Sequence, residues 1–169
     1  MEPRASRPYM PDYGVVAAGE GTGLLPWSWA TERLVASHDY WLATVWPDGR
    51  PHVTPVWGAW LDDAAWFSAG GRARKSRNLA HDPRATITTD NPLEPVVVEG
   101  HVDRVTEPAA IQSFTDAVNA KYESSYSVDF FTESVVFRLR PVRAFGLTEA
   151  DFTGSPTRWE FREQPVTSS

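Results

Sequence analysis

The sequence predicts a mainly β domain with inserted helices, its strands antiparallel and curled into a closed or nearly closed barrel. Three observations carry this. Between residues 40 and 105 five short segments rich in β-branched and aromatic side chains alternate with Gly, Pro, Asp and Asn turns. No strand opens a βαβ unit, as a parallel sheet would require. The 169 residues, 41% hydrophobic and 22% charged, fit one domain, and a chain of this size buries roughly 68–70% of its unfolded surface without disulfides or a structural metal.

Residues 1–26 are rich in proline and glycine with little periodicity, and are expected as an N-terminal arm. Gly19, Gly21 and Gly23 imitate a dinucleotide-binding turn. Leu24 stands where the fingerprint's next glycine belongs, and Pro26 interrupts the helix that should follow, so the match fails. A barrel domain is expected over 27–150 and a C-terminal tail over 151–169. Ser28 is placed to cap a short helix running to Ser37, with Trp27, Leu34 and Val35 as its apolar side.

After it the period changes to two. Tyr40 to Trp46, His52 to Trp60 and Ala64 to Ala69 read as a three-strand meander, punctuated by Pro47-Asp48-Gly49 and Asp62-Asp63. Arg84 to Asp90 and Pro95 to Val105 supply two more strands, joined through Asn91-Pro92. Glu107 to Tyr122 carries Ala110, Ile111, Phe114, Ala117 and Val118 at helical spacing. Val135 to Leu139 and Val142 to Thr148 return to strand. Seven of the eight tryptophans lie between Trp27 and Trp66, more aromatic surface than so small a barrel easily buries alone, which predicts a subunit interface and a homodimer. Trp57 and Trp60, three apart on one strand, cannot both face the same pocket.

Composition excludes several chemistries. With no cysteine there is no disulfide scaffold, thiolate metal site or cysteine nucleophile. His38, His52, His81 and His101 are too scattered for a metal site, and no metal is expected. No phosphate-binding loop of the NTPase type occurs, and in Trp66-Phe67-Ser68-Ala69-Gly70 a tryptophan replaces the first glycine of a hydrolase elbow. Asp62-Asp63 is a solvated turn pair rather than a catalytic one. A formal charge of −6 opposes nucleic-acid binding. No apolar stretch reaches the roughly 20 residues of a membrane helix. No membrane association and a cytoplasmic location are therefore expected.

Against this acidic background Gly70 to Arg84 stands out. It holds Arg72, Arg74, Lys75, Arg77 and Arg84 against Asp82 alone, directly after a hydrophobic strand. Gly70-Gly71 can turn sharply, and Lys75 to His81 can form a short helix ended by Asp82-Pro83. Backbone amides at the start of that helix, with cationic side chains beside them, suit a phosphate group.

Leu42-Ala43-Thr44, Asp48-Gly49-Arg50-Pro51-His52-Val53-Thr54-Pro55-Val56, Trp66-Phe67-Ser68, Lys75-Ser76-Arg77-Asn78-Leu79 and Asp82-Pro83-Arg84 together resemble the pyridoxamine 5′-phosphate oxidase-like split β-barrel proteins, FMN-binding-like in fold. With the closing Thr157-Arg158-Trp159 and Phe161, the chain is most similar to their flavin/deazaflavin oxidoreductase branch, which often uses coenzyme F420. The resemblance implies a homodimer with interfacial cofactor sites and an F420-dependent oxidoreductase that passes hydride between the deazaflavin and a small unsaturated or quinone-like substrate. FMN as cofactor of an oxidase or reductase is the alternative, as is a flavin- or deazaflavin-binding protein without turnover. His52, Val53, Thr54, Pro55 and Val56 would lie along the cofactor ring, and Ser68, Arg72, Arg74, Lys75 and Arg77 would hold its phosphate. Arg4 and Arg7 are expected to fold over the groove and follow a longer anionic tail. No catalytic side chain is singled out; water, His52 or a tyrosine are the candidate proton donors.

Overall fold

The structure is a computed structural model and describes residues 2–162. Among these the chain forms nine strands and four α-helices. Strand β1 (Arg4–Ser6) is followed after a long loop by helix α1 (Trp27–Ala36), then by β2 (Tyr40–Val45), β3 (Pro51–Val56), β4 (Gly58–Leu61) and β5 (Ala64–Ala69). Helix α2 (Arg74–His81) leads into β6 (Arg84–Thr89) and β7 (Val96–Val105); α3 (Pro108–Tyr122) and α4 (Val128–Thr132) precede β8 (Val135–Gly146) and β9 (Thr157–Glu160). All pairings are antiparallel, as expected. No helix of the described residues is long and apolar enough to cross a membrane.

The strand order runs β3-β2-β6-β7-β8-β5-β4. Its two ends, β3 and β4, are consecutive in the chain but do not pair with each other among the described residues, so the barrel closes through the covalent link at Trp57. The expected third meander strand is thus two: the Pro51–Val56 half pairs with β2 and the Gly58–Leu61 half with β5. Gly58 explains the break, because a Cβ there would stand 2.5 Å from the Trp66 carbonyl oxygen and 3.1 Å from the Tyr40 ring, a close approach only glycine permits.

The two expected strands around Pro141 are one 12-residue strand. Proline removes one donor, and the pairing absorbs it as a bulge: the register shifts between Glu99 and Gly100, so that Gly100 faces Pro141 and Glu99 faces Arg143. A Cβ on Gly100 would collide with the Arg140 carbonyl, which is why glycine stands there. Helix α1 begins at Trp27 behind an extended Pro26 and has no side-chain cap, so Ser28 lies inside the first turn rather than before it.

Alternate residues of the strands fill the barrel with Leu42, Ile87, Val98, Phe67 and Leu139, joined by Leu34 of α1 and Trp159 of β9. The expected arm and tail both belong to this body. Strand β9 pairs with β8, and β1 pairs with β9. Trp159 is fully buried, with its Nε1 donating to the Leu25 carbonyl at 3.2 Å. Arg7 donates to the carbonyls of Pro156 and Gly154, each at 2.8 Å, and to those of Ala17 and Glu20, each at 3.1 Å, clasping the loop before α1 to the turn before β9. The part of the expected tail beyond residue 162 lies outside the described residues. A second cluster, Trp66, Ile111, Phe114, Val118, Phe131 and Val136, packs α3 and α4 on the outer face of β5 and β8.

Candidate functional site

Helix α2 leaves the barrel at the end of β5. The Gly70 carbonyl accepts from the Ala73 amide and the Ser76 hydroxyl, both at 2.9 Å, and so ties the turn to the helix. Ala73 is extended and offers no capping side chain, so the first-turn amides of α2 lack a side-chain acceptor among the described residues. Of the five cations here, Arg84 is paired with Asp82 at 2.6 Å and holds that carboxyl down to about 2 by its hydrogen bonds. Arg72, Arg74, Lys75 and Arg77 make no ion pair among the described residues. Arg72 and Arg77 are exposed, whereas Arg74 and Lys75 are half-buried.

Arg74 and Asn78, one turn apart, face the barrel end and connect α2 to β2 and β3. The Arg74 guanidinium carbon lies 3.8 Å from the Trp46 ring centroid, and the His52 ring meets the same indole edge-on at 6.2 Å. His52 Nδ1 stands 3.4 Å from the Thr44 hydroxyl, which accepts from Asn78 Nδ2 at 3.0 Å. Asn78 thereby anchors the helix to β2. Two buried polar atoms of this cluster have no partner, Asn78 Oδ1 and Thr54 Oγ1. Leaving such a group unsatisfied costs on the order of 1–3 kcal/mol, so each is a polar position that the fold leaves unmatched.

The five predicted residues of β3 divide by face. His52, Thr54 and Val56 point inward with Thr44 and Leu42, whereas Val53 and Pro55 are exposed beside Trp41 and Ala43. Strand β3 pairs with β2 alone, so its second edge is open among the described residues.

Ser68 faces elsewhere than the cationic turn. It lines a cavity of about 180 Å³ on the outer side of β5, with Trp57, Phe114, Tyr126, Phe130 and Phe131. Trp57 is half exposed and stacks on Tyr122, ring centroids 4.4 Å apart and planes 5° from parallel. The Tyr122 hydroxyl donates to the His38 carbonyl at 2.6 Å and accepts from the Gly58 amide at 3.0 Å. Lys121 Nζ donates to the Gly58 carbonyl at 2.7 Å, and burial brings its pKa down to about 8 against the opposing pull of Asp39 and Asp90. Trp57 lines the cavity while Trp60 packs on the barrel cluster, on opposite sides of the wall. The sequence marked the cations and β3, but not Trp46: its place beneath Arg74 depends on a neighbour distant in the chain, which no local spacing reveals.

The family model for pyridoxamine 5′-phosphate oxidase matches residues 30–148. Among solved structures, a conserved hypothetical protein of Mycobacterium tuberculosis superposes with a TM-score of 0.65 at 23% identity, covering 86% of this chain and 94% of that one. An F420 reductase gives a TM-score of 0.55 at 27% identity over 67% of this chain and 93% of its own. A heme-binding protein of Mycobacterium smegmatis gives 0.56 at 27% identity over 78% of this chain and 62% of that one. Curated protein sequences yield no match. An antiparallel barrel with helices inserted after β5 and β7, and a family match over most of its length, lead to one assignment: the chain belongs to the pyridoxamine 5′-phosphate oxidase family.

Proposed function

We propose that the protein is an F420-dependent oxidoreductase passing hydride between the deazaflavin and a small unsaturated or quinone-like acceptor. One observation carries this: four cations without ion-pair partners among the described residues cluster at the uncapped start of α2, whose Arg74 and Asn78 reach Trp46 and Thr44 at the end of β2. The residues present fit such a cofactor, since the cations and first-turn amides match a phosphate and Thr54, on β3, carries an Oγ1 without a partner. The likeness to an F420 reductase supports the choice of cofactor.

When bound, the cofactor supplies the hydride chemistry. The chain supplies position and dryness. Arg72, Arg74, Lys75 and Arg77 bind the phosphate, β3 presents its backbone to the ring, and His52 is the titratable side chain in the adjoining cluster. The aromatic cavity by Ser68 has the size and apolar walls for a small planar acceptor, with the Ser68 hydroxyl as its polar handle.

A second reading, FMN as cofactor, draws support from Arg7. That guanidinium is engaged with loop carbonyls and is not free to follow a long anionic tail, and β1 lies at the far end of the strand order from β3. The local cluster that remains is enough for one compact phosphate. Fluorescence titrations with F420 and with FMN at low and moderate salt decide between them. F420 should bind more tightly and weaken as salt screens its tail. Tighter FMN binding at both salts refutes the deazaflavin assignment. Binding of F420 with no oxidation of the reduced form by a soluble quinone identifies a carrier rather than an enzyme.

A further inference from the structure

Arg74 is held differently from its three cationic neighbours. Its guanidinium lies over Trp46, 3.8 Å from the ring centroid, and makes no hydrogen bond among the described residues. A guanidinium carbon this close to a ring centroid leaves no room for an N–H to stand between them, so the group lies flat on the indole and its N–H donors, in the plane of the group, point away from the ring. Trp46 itself is fixed by the β2–β3 hairpin: its amide donates to the Arg50 carbonyl and its carbonyl accepts from Gly49, both at 2.9 Å. Gly49 adopts φ +87°, which that turn needs and glycine gives without strain. Arg50 also sits over the indole, at 4.4 Å, but its Nε is 2.9 Å from the Asp48 carboxylate, so its charge is already matched.

We propose that Trp46 is a positioning residue of the anion site: its indole holds the Arg74 guanidinium by the face and leaves the N–H edge free to take two oxygens of a phosphate. A long side chain normally loses rotamer freedom when it grips an anion. Here that ordering is already met in the free protein by a platform on a different element. The inference rests on the assignment of α2 as an anion site, and it extends that site from the cationic turn to the hairpin on the other side of the barrel end. It also gives Arg74 a role distinct from Lys75, a directional fork instead of a point charge.

The test uses the full chain, inorganic pyrophosphate as the anion, and the ¹⁵N signals of the arginine side chains. In the parent protein the Arg74 Nε–H signal is displaced by the indole ring current and moves on adding pyrophosphate. Trp46→Leu removes the displacement and weakens pyrophosphate binding about three- to tenfold, while Trp46→Phe, which keeps an aromatic face, stays within about twofold of the parent. In an Arg74→Ala background Trp46→Leu brings no further loss, because the indole acts through the guanidinium. Additive losses, an unchanged affinity in Trp46→Leu, or no pyrophosphate binding by the parent would each overturn the proposal. Unchanged far-ultraviolet dichroism of Trp46→Phe guards against a folding defect. A parent that binds pyrophosphate at Arg74 but neither F420 nor FMN leaves the role of Trp46 standing and removes the functional assignment instead.

Discussion

Replacing Arg7 by alanine separates a structural clasp from a cofactor contact. The Arg7 guanidinium reaches four carbonyls within 3.1 Å, two of them at 2.8 Å in part-buried surroundings and two at the exposed rim, with a fifth, that of Gly23, at 3.5 Å. A hydrogen bond to a charged group contributes about 1.5–3 kcal/mol when sheltered and much less in water. The two bonds at 2.8 Å are only part-buried, so each takes a discounted value of about 1–1.5 kcal/mol and the exposed ones little, and Arg7→Ala should lower stability by about 2–3 kcal/mol. For a domain of this length that corresponds to a fall in Tm of about 4–12 °C. Calorimetry or thermal dichroism reads this, and Arg7→Lys, which keeps the charge but not the fork, should recover only part of it. The same variant should bind F420 and FMN as the parent does. A weaker F420 affinity at unchanged Tm would refute the argument and return Arg7 to the cofactor groove.

Three more outcomes are expected. Lys75→Ala should raise the dissociation constant for the cofactor about tenfold to a hundredfold with little change in Tm, read by fluorescence titration; an unchanged constant moves the phosphate site elsewhere. Burial lowers the Lys121 pKa in the folded protein to about 8, below its ordinary value of 10.5. Between those two values the unfolded chain binds the extra proton, so stability should rise as pH passes from 8 towards 10, before Tyr122, pushed up to about 12, opposes it. Urea midpoints that fall over this range, or a rise that persists in Lys121→Met, count against that account. The exposed apolar face of β2 and β3, with Trp41 and Val53 about half exposed, should be covered in a homodimer; a monomer in sedimentation equilibrium at micromolar concentration contradicts this.

Where one apolar pattern decides an element, the sequence was sufficient. β2 alternates buried Tyr40, Leu42 and Thr44 with outward Trp41 and Ala43, and α3 buries Ile111, Phe114 and Val118 at helical spacing. Elements whose cause lies far along the chain were not readable. Strands β1 and β9 are three and four residues long, too short for a period, and exist because Trp159 fills the barrel and their backbones pair with each other. Helix α4, five residues long, was invisible for the same reason. The break at Trp57 leaves no local mark, since Val56, Trp57 and Trp60 read as continuous strand until the Trp66 carbonyl is seen against Gly58. The site divided in the same way. Four cations within six residues announce an anion, whereas the indole beneath Arg74 belongs to a hairpin 28 positions earlier.

The open edge of β3 carries a consequence for solubility. Pro51 and Pro55 stand four residues apart and so share one side of the strand with Val53. A proline has no N–H to lend a neighbouring strand, and the side facing β2 is where such donors are needed, so the proline side is the one turned outward. Along that side Val53 alone offers an amide, while all three residues offer carbonyls. A foreign strand seeking a ladder would meet acceptors without matching donors, and edge-to-edge polymerisation, the usual hazard of an uncovered strand, is discouraged by composition. A barrel that leaves one edge of β3 uncovered thus protects itself from its own kind with two prolines.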